Sequence, residues 1–265
     1  MDITDYDRLW QEQLKAFDHT SDTAGYWNRR AQTFESAWKT SSYPQDLLHR
    51  MELKPEYTVL DVACGIGTVA IPMAQQVARV TALDISPAML EKLKKRAAAA
   101  GVNNISIINR DWNQVKVGED IAKHDVVLVS RSLPSNRLSE SLERMNSIAR
   151  YGCYITWRGQ RTDKYESEVA QAIGKKLRDY PDSRIIYGTL QAMGIAAKIE
   201  IFETTNEEHF PDLAEAVKNM ARGAELTGSQ KEKLTAVAKN RLSMSNGFYC
   251  GSYKMQWSLI SWHRP

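Results

Sequence analysis

The stretch Val59-Leu60-Asp61-Val62-Ala63-Cys64-Gly65-Ile66-Gly67-Thr68-Val69-Ala70 leaves this chain few folds to choose from. The apolar run at 57–62 reads as a buried strand, and an apolar helix is expected to begin near Thr68. Between them, two glycines one residue apart let the backbone turn tightly and approach a ligand without interference from a Cβ. Strand, glycine loop and helix together make a nucleotide-binding crossover. Gly65, Gly67 and Ala70 also comply formally with the dinucleotide pattern G-x-G-x-x-G/A, in which a pyrophosphate rests on the helix N-terminus.

Asp61 separates the two cofactor classes that use this geometry. It lies inside the strand, four residues before the first glycine, where a carboxylate is costly unless it meets a partner. A loop holding pyrophosphate gains nothing from a negative charge there, whereas a ligand bearing an ammonium group, such as S-adenosylmethionine, does. Asp61-x-x-x-Gly65-x-Gly67 resembles motif I of the class I S-adenosylmethionine-dependent methyltransferases, and the strands that follow extend the resemblance. The second, at 79–84, closes on Asp84, placed to accept both hydroxyls of a ribose, and Ser86-Pro87 caps the helix after it. The third, at 104–109, ends at Arg110-Asp111-Trp112; in the family an acid here binds the adenine amino group and its neighbour flanks the ring. The fourth, at 125–129, ends at Ser130-Arg131-Ser132. The resemblance implies cofactor contacts from Asp61, Ala63, Gly65, Gly67, Thr68, Asp84, Ile85, Met89, Asp111, Trp112, Ser130 and Arg131. Upstream, Trp27-x-x-x-Ala31-x-x-Phe34 resembles the segment before motif I in small-molecule members, which adds Tyr26 and Trp27. It covers residues 26–157 and thins beyond them.

Composition limits the partners. In 265 residues, 43% of them hydrophobic, there is room for one domain with additions and an ample core. A net charge of +3, spread over interspersed charges, reads as a solvated surface rather than a nucleic-acid footprint. Cys64, Cys153 and Cys250 are scattered and without metal-ligand spacing, which argues against a disulfide framework and for a reducing compartment. Cys64 reads as a small apolar filler of the glycine loop. The acidic start, and the lack of an apolar run near the roughly 18 residues that span a bilayer, point to a cytoplasmic protein with no membrane association.

Along the chain, Leu9, Trp10, Leu14 and Phe17 recur at helical spacing, and a second helical run carries Trp27, Ala31, Phe34 and Trp38, with a loop at 19–25 between them. Two readings of these aromatics stand side by side. Either they bury one face of two helices, or the second helix covers the cofactor as a mobile lid at about 18–42, so that a chain lacking 1–42 keeps a folded sheet. Strands and helices then alternate as parallel crossovers do. Leu138, Leu142, Met145 and Ile148 form a buried helical stripe, and 151–157 is a fifth strand. Val169, Ile173, Leu177 and Tyr180 suggest a helix closed by Pro181, and 190–193 another ended by Gly194. Ile195, Ala197, Ile199 and Ile201 alternate with polar residues in a half-buried strand; Tyr253, Met255, Trp257 and Leu259 do so in the last strand. About fifty residues separate these two, too many for a hairpin. Leu213, Val217 and Met220 mark one helix there, and a capping box Ser229-x-x-Glu232 opens another carrying Leu234, Val237 and Leu242.

The expected architecture is α/β: a Rossmann-like, doubly wound, mostly parallel seven-stranded sheet with an antiparallel last strand, N-terminal helices, and a helical insertion before that last strand. Its divisions are 1–50 for a helical cap, 51–202 for the cofactor-binding core, 203–250 for the insertion and 251–265 for the last strand.

Methyl transfer from a sulfonium is an in-line displacement in which the cofactor supplies the electrophile and the protein positions the partners. A base is needed only if the nucleophile must lose a proton, and no residue can be assigned that role. His124 precedes the fourth strand, at the wrong end of the sheet, and reads as structural. Tyr26, Arg131, Arg158 and Tyr249 are candidates for substrate contact by position. Ser130-Arg131-Ser132-Leu133-Pro134 lacks the Asn/Asp/Ser-Pro-Pro-aromatic run shared by amino-directed nucleic-acid members, and the Pro-Cys nucleophile of cytosine-C5 members is absent. The expectation is an S-adenosylmethionine-dependent methyltransferase acting on a small molecule, with no metal and with nucleic acid disfavoured. Two alternatives stand beside it. One is a tRNA, rRNA or protein methyltransferase with a basic, aromatic-lined groove around Arg158, Arg161, Lys175 and Lys176. The other is a module that holds S-adenosylmethionine without turnover.

Overall fold

The structure, a computed structural model, describes residues 1–17, 24–31, 41–159, 164–177, 179–221 and 224–264. Expectations for Phe34, Trp38, Arg161, residues 19–23 and the side chain of Phe17 lie outside the described residues. Among those described, eight strands form one sheet: β1 (Thr58–Val62), β2 (Arg79–Asp84), β3 (Ile105–Asn109), β4 (His124–Ser130), β5 (Ala149–Arg158), β6 (Ala197–Phe210), β7 (Ser243–Ser245) and β8 (Phe248–His263). Their order is 3-2-1-4-5-8-6, with β7 paired to β8. The first five are mutually parallel, and β8 runs antiparallel to both β5 and β6. The expected doubly wound sheet is therefore present, with the three-residue β7 as an addition. Central strands such as β1 and β4 are apolar on both faces because helices cover both.

On one face lie α1 (Ile3–Phe17), α6 (Leu138–Ile148) and α8 (Ser183–Ala192), whose Trp10, Leu142 and Ile186 pack with Leu60, Val127, Ile155 and Trp262. On the other lie α3 (Tyr43–Leu48) and α4 (Ala70–Ala74), packed with Val59, Val126, Leu128 and Leu259. Leu90 and Leu93 of α5 (Pro87–Ala99) cover Ala82 of β2, and α2 (Ala24–Ala31) joins its start through Ala31, Ile66 and Met89. A separate core forms where α7 (Tyr165–Ala172), α9 (Leu213–Ala221) and α10 (Gly228–Arg241) meet Phe210 at the far end of β6.

Helix ends and one strand face depart from the sequence expectation. The helix after the glycine loop begins at Ala70, not near Thr68, because the turn carrying Gly67 at φ +77° runs on through Val69. The periodicity over 169–180 breaks at Gly174: its φ of +68° and its amide's bond to the Gln171 carbonyl end α7 at Ala172, well before Pro181. Helix α8 starts earlier than 190, at Ser183, because the Asp182 side chain caps the Arg184 amide. The capping box is Thr227 with Gln230 rather than Ser229 with Glu232; Ser229 already lies inside the first turn. On β6 the buried alternate is Phe202, Thr204 and Asn206, while Ile199 and Ile201 are 39% and 53% exposed. The core under α1 and α8 takes in only Ile195 and Ala197 of that row, so the rest of the row on this edge strand stays in solvent. Strand β6 continues unbroken across 202 and 203, and the insertion's helices ride on a long β6–β8 ribbon.

Candidate functional site

The strand order reverses between β1 and β4, and a cleft of about 1450 Å³ opens at the carboxyl ends of the strands there. Of the residues expected to bind a cofactor, all but Gly67 line it: Tyr26, Trp27, Asp61, Ala63, Gly65, Thr68, Asp84, Ile85, Met89, Asp111, Trp112, Ser130 and Arg131. Gly67 faces inward. A Cβ there would lie 2.9 Å from Leu93 Cγ and 3.2 Å from Ile71, so this glycine lets the loop close against α4 and α5. Gly65 is the opposite case, with φ +55° and open space where its Cβ would be, so that a ligand can approach the backbone.

Asp84 holds that loop in place. Its Oδ2 accepts from the Gly65 amide and its Oδ1 from the Ser86 amide, both at 2.8 Å. A carboxylate oxygen can accept more than one hydrogen bond, the chemistry that a pair of ligand hydroxyls calls for. Asp61, one strand over, is 1% exposed, and its Oδ1 finds no hydrogen-bond partner among the described residues. Burial, and then the charge of Asp84, push its carboxyl up to about 8, against the pull of Arg131. An ammonium group would supply the missing donor and counter-charge, so these residues fit S-adenosylmethionine. Beside them Cys64 is buried with the α5 side chains as expected, and burial raises its thiol well above the usual range.

Arg131 sits just past β4 at φ +62°, its amide donating to the Thr156 carbonyl at 3.0 Å and to the Thr156 hydroxyl at 3.1 Å. Its guanidinium lies 4.5 Å above the ring of Tyr43, whose hydroxyl meets those of Ser130 and Thr156. Sequence reasoning missed Tyr43. Asp111 caps the turn after β3 by accepting from the Asn113 amide at 2.9 Å. Trp112 borders the cleft but is a core residue, its indole N–H donating to Ser141 Oγ at 2.8 Å. Tyr26 and Trp27 meet edge to face on α2, which Asn28 ties to the start of α5 by accepting from Ser86 Oγ at 2.7 Å.

Beyond this half, the cleft continues along an aromatic wall of Trp157, Tyr165, Tyr180, Tyr253 and Trp257. Arg158 lies within it, paired to Glu166 at 3.1 Å and 5.5 Å and 5.6 Å from the ring centres of Tyr180 and Trp257. Of the substrate-contact candidates, Tyr26, Arg131 and Arg158 line the cleft; Tyr249 does not, and packs on the separate core under α9 and α10. Lys175 and Lys176 are exposed outside the cleft. The wall was hidden in the sequence because its rings come from four distant segments; the only local signal was the alternation that turns Met255 and Trp257 of β8 one way. His124 opens β4, its Nε2 2.8 Å from Thr81 Oγ1 and its Nδ1 2.9 Å from the Ala122 carbonyl, a structural place as expected. Among the described residues, no cluster of His, Cys, Asp and Glu could hold a metal, and no helix is long and apolar enough to cross a membrane.

The sequence model of the methyltransferase domain family matches residues 59–152. An uncharacterised Haemophilus influenzae protein is 30% identical over 261 residues, which are 96% of this chain and 95% of that one. The 23S rRNA (uracil(1939)-C(5))-methyltransferase RlmD of Klebsiella pneumoniae is 32% identical over 77 residues, 29% of this chain and 18% of that enzyme. The crystal structure of a Bacillus halodurans putative methyltransferase superposes with a TM-score of 0.55 at 17% identity, covering 84% of this chain and 99% of the other. It has the same fold. With the motif I strand, the domain match and the doubly wound sheet in agreement, the chain belongs to the class I S-adenosylmethionine-dependent methyltransferases, enzymes that take S-adenosylmethionine as cofactor.

Proposed function

We propose that this methyltransferase acts on a small molecule held in the aromatic half of its cleft. The observation that carries the reading is the continuity of that cleft. Its volume of about 1450 Å³ exceeds the roughly 300–1,000 Å³ of a single-ligand site, leaving room for a second molecule beside the cofactor. Bound S-adenosylmethionine supplies an electrophilic methyl on a sulfonium. The chain's own residues do the rest by binding and orientation. In this reading Asp61 meets the ammonium group, Asp84 the ribose hydroxyls and Asp111 the adenine amino group. Ile85, Met89 and Trp112 flank the base, Ala63, Gly65 and Thr68 offer backbone at the glycine turn, and Gly67 shapes that turn without touching the ligand. Ser130 and Arg131 bound the methionine end, and Tyr26 and Trp27 of α2 cover the site and keep water out.

An RNA substrate calls for a run of cations open to phosphates. Arg158 is instead sunk beside Glu166, and the lysines that line the cleft, Lys218 and Lys231, are interspersed with Glu207, Glu208 and Glu215, with Lys218 paired to Glu215 at 3.2 Å. Three free cysteines fit a reducing, cytoplasmic setting. The test is methyl-tritiated S-adenosylmethionine incubated with the enzyme and a cell extract. Label should pass an ultrafilter and resist both ribonuclease and protease; retained, ribonuclease-sensitive label would overturn the small-molecule reading.

A further inference from the structure

We propose that Tyr43, on a helix outside the nucleotide-binding crossover, is a positioning residue for the cofactor's amino-acid end, acting through Arg131. Tyr43 does not line the cleft. It stands directly behind Ser130 and Arg131, which do, and is itself fully buried. Its ring is wedged from the far side by Trp257 at 4.9 Å and Phe202 at 6.3 Å, so it cannot turn away. Its hydroxyl meets Ser130 Oγ at 2.7 Å and the hydroxyl of Thr156. That same threonine oxygen accepts the Arg131 amide, closing a chain from Tyr43 through Thr156 to the Arg131 backbone.

The backbone it steadies is an uncommon one. Arg131 holds φ +62°, a left-handed conformation that a long side chain adopts only where its surroundings over-determine it. The loop is tied down by Tyr43 and Thr156, and the guanidinium is laid across the tyrosine ring at 4.5 Å. Fixing both ends of the residue fixes where its charge stands. That place is within electrostatic reach of Asp61, at the end of the neighbouring strand β1. A cation and an acid with an unpartnered buried oxygen, at adjacent strand ends, are complementary to the carboxylate and ammonium of one α-amino acid. Burial raises the Tyr43 phenol, so it stays neutral and keeps its proton for the hydroxyl chain.

The inference builds on the cofactor contacts assigned above and is independent of the methyl acceptor. Calorimetry with S-adenosylhomocysteine and with methylthioadenosine, which lacks the amino-acid group, tests it. Tyr43→Leu should weaken S-adenosylhomocysteine about tenfold and Tyr43→Phe about threefold, with methylthioadenosine held within about twofold in both. With Arg131→Met already in place, neither tyrosine change should add a further selective loss, since the effect runs through the arginine. Equal losses on both ligands would show a general structural role and overturn the proposal. So would a selective loss that persists undiminished without Arg131. If Tyr43→Leu does not fold, the Tyr43→Phe and Arg131→Met cycle decides alone, and no selective loss in it overturns the proposal. Failure of the parent protein to bind either ligand would instead refute the cofactor contacts.

Discussion

Asp61 sits where folding disfavours its charge, and in the proposed site a ligand's ammonium group would restore it. An ordinary aspartate titrates near 3.8, but this one is pushed up to about 8, first by burial and then by Asp84, with Arg131 pulling the other way. Between those values the folded chain holds a proton that the unfolded chain has released, so stability falls as pH rises from about 4 to about 8 and is level above. An ammonium ligand favours the carboxylate, so binding must release a proton below about pH 8. S-adenosylhomocysteine affinity should therefore climb between pH 6 and 8 while methylthioadenosine affinity stays flat. Asp61→Asn should abolish that slope, weaken only the amino-acid-bearing ligand and lift stability in the alkaline range; a slope that survives the substitution would assign it to another group. Asp84 carries a different burden, because it braces the Gly65 and Ser86 amides. Each charge-assisted bond lost in Asp84→Ala costs about 1.5–3 kcal/mol. That variant should lose melting temperature without ligand as well as affinity, and an unchanged melting temperature would mean the carboxylate serves the cofactor alone. Both acids were legible because a strand end and a glycine spacing fix their place within one short segment. Tyr43 was not: its partners Ser130 and Thr156 are 87 and 113 residues away, and no local pattern encodes such a meeting.

Among the elements, the crossovers were legible and their edges were not. Strands buried on both faces announce themselves as continuous apolar runs, whereas the exposed row on β6 depends on how far a covering core extends, which is tertiary information. Helix α2 shows the same limit. Its helical periodicity fits either ordinary packing or a cover, and what the structure adds is Asn28, which reaches Ser86 Oγ and the Ala88 amide at the start of α5. That tie joins α2 to the turn carrying Asp84. If α2 closes over the cofactor, S-adenosylhomocysteine should slow amide exchange at 24–31 more than in α9 and α10. Asn28→Ala should erase much of that protection and weaken the ligand severalfold, since a bond to a buried polar partner is worth about 1 kcal/mol. Equal exchange with and without ligand would make α2 ordinary packing.

At the scale of the molecule, the N-terminal helix α1 belongs to the main core on one face of the sheet, while a second core lies apart from it under α9 and α10. Sequence reasoning allowed residues 1–42 to be removed with the sheet left intact. Yet Trp10 of α1 is fully buried in the main core, its ring 5.1 Å from that of Trp157 and its indole N–H donating to the Ser135 carbonyl at 2.9 Å. A truncated chain should therefore aggregate or melt early rather than fold. The second core, where Leu234 of α10 is fully buried, frames the aromatic half of the cleft and meets the sheet along the β6–β8 ribbon and through the Arg158–Glu166 pair. Two substitutions separate their duties. Trp10→Ala should cost about 3–5 kcal/mol of global stability and lower the urea midpoint of the whole chain, yet leave S-adenosylhomocysteine affinity near the parent value under native conditions. Leu234→Ala removes a comparable anchor from the second core, about 2–5 kcal/mol locally. It should accelerate exchange in α7, α9 and α10 while β1, β2 and β4 stay protected, and raise KM for the methyl acceptor without moving cofactor affinity. If Leu234→Ala instead loosens the whole sheet in step with α10, the two cores fold as one unit and the helices over the ribbon are not a separable substrate cap.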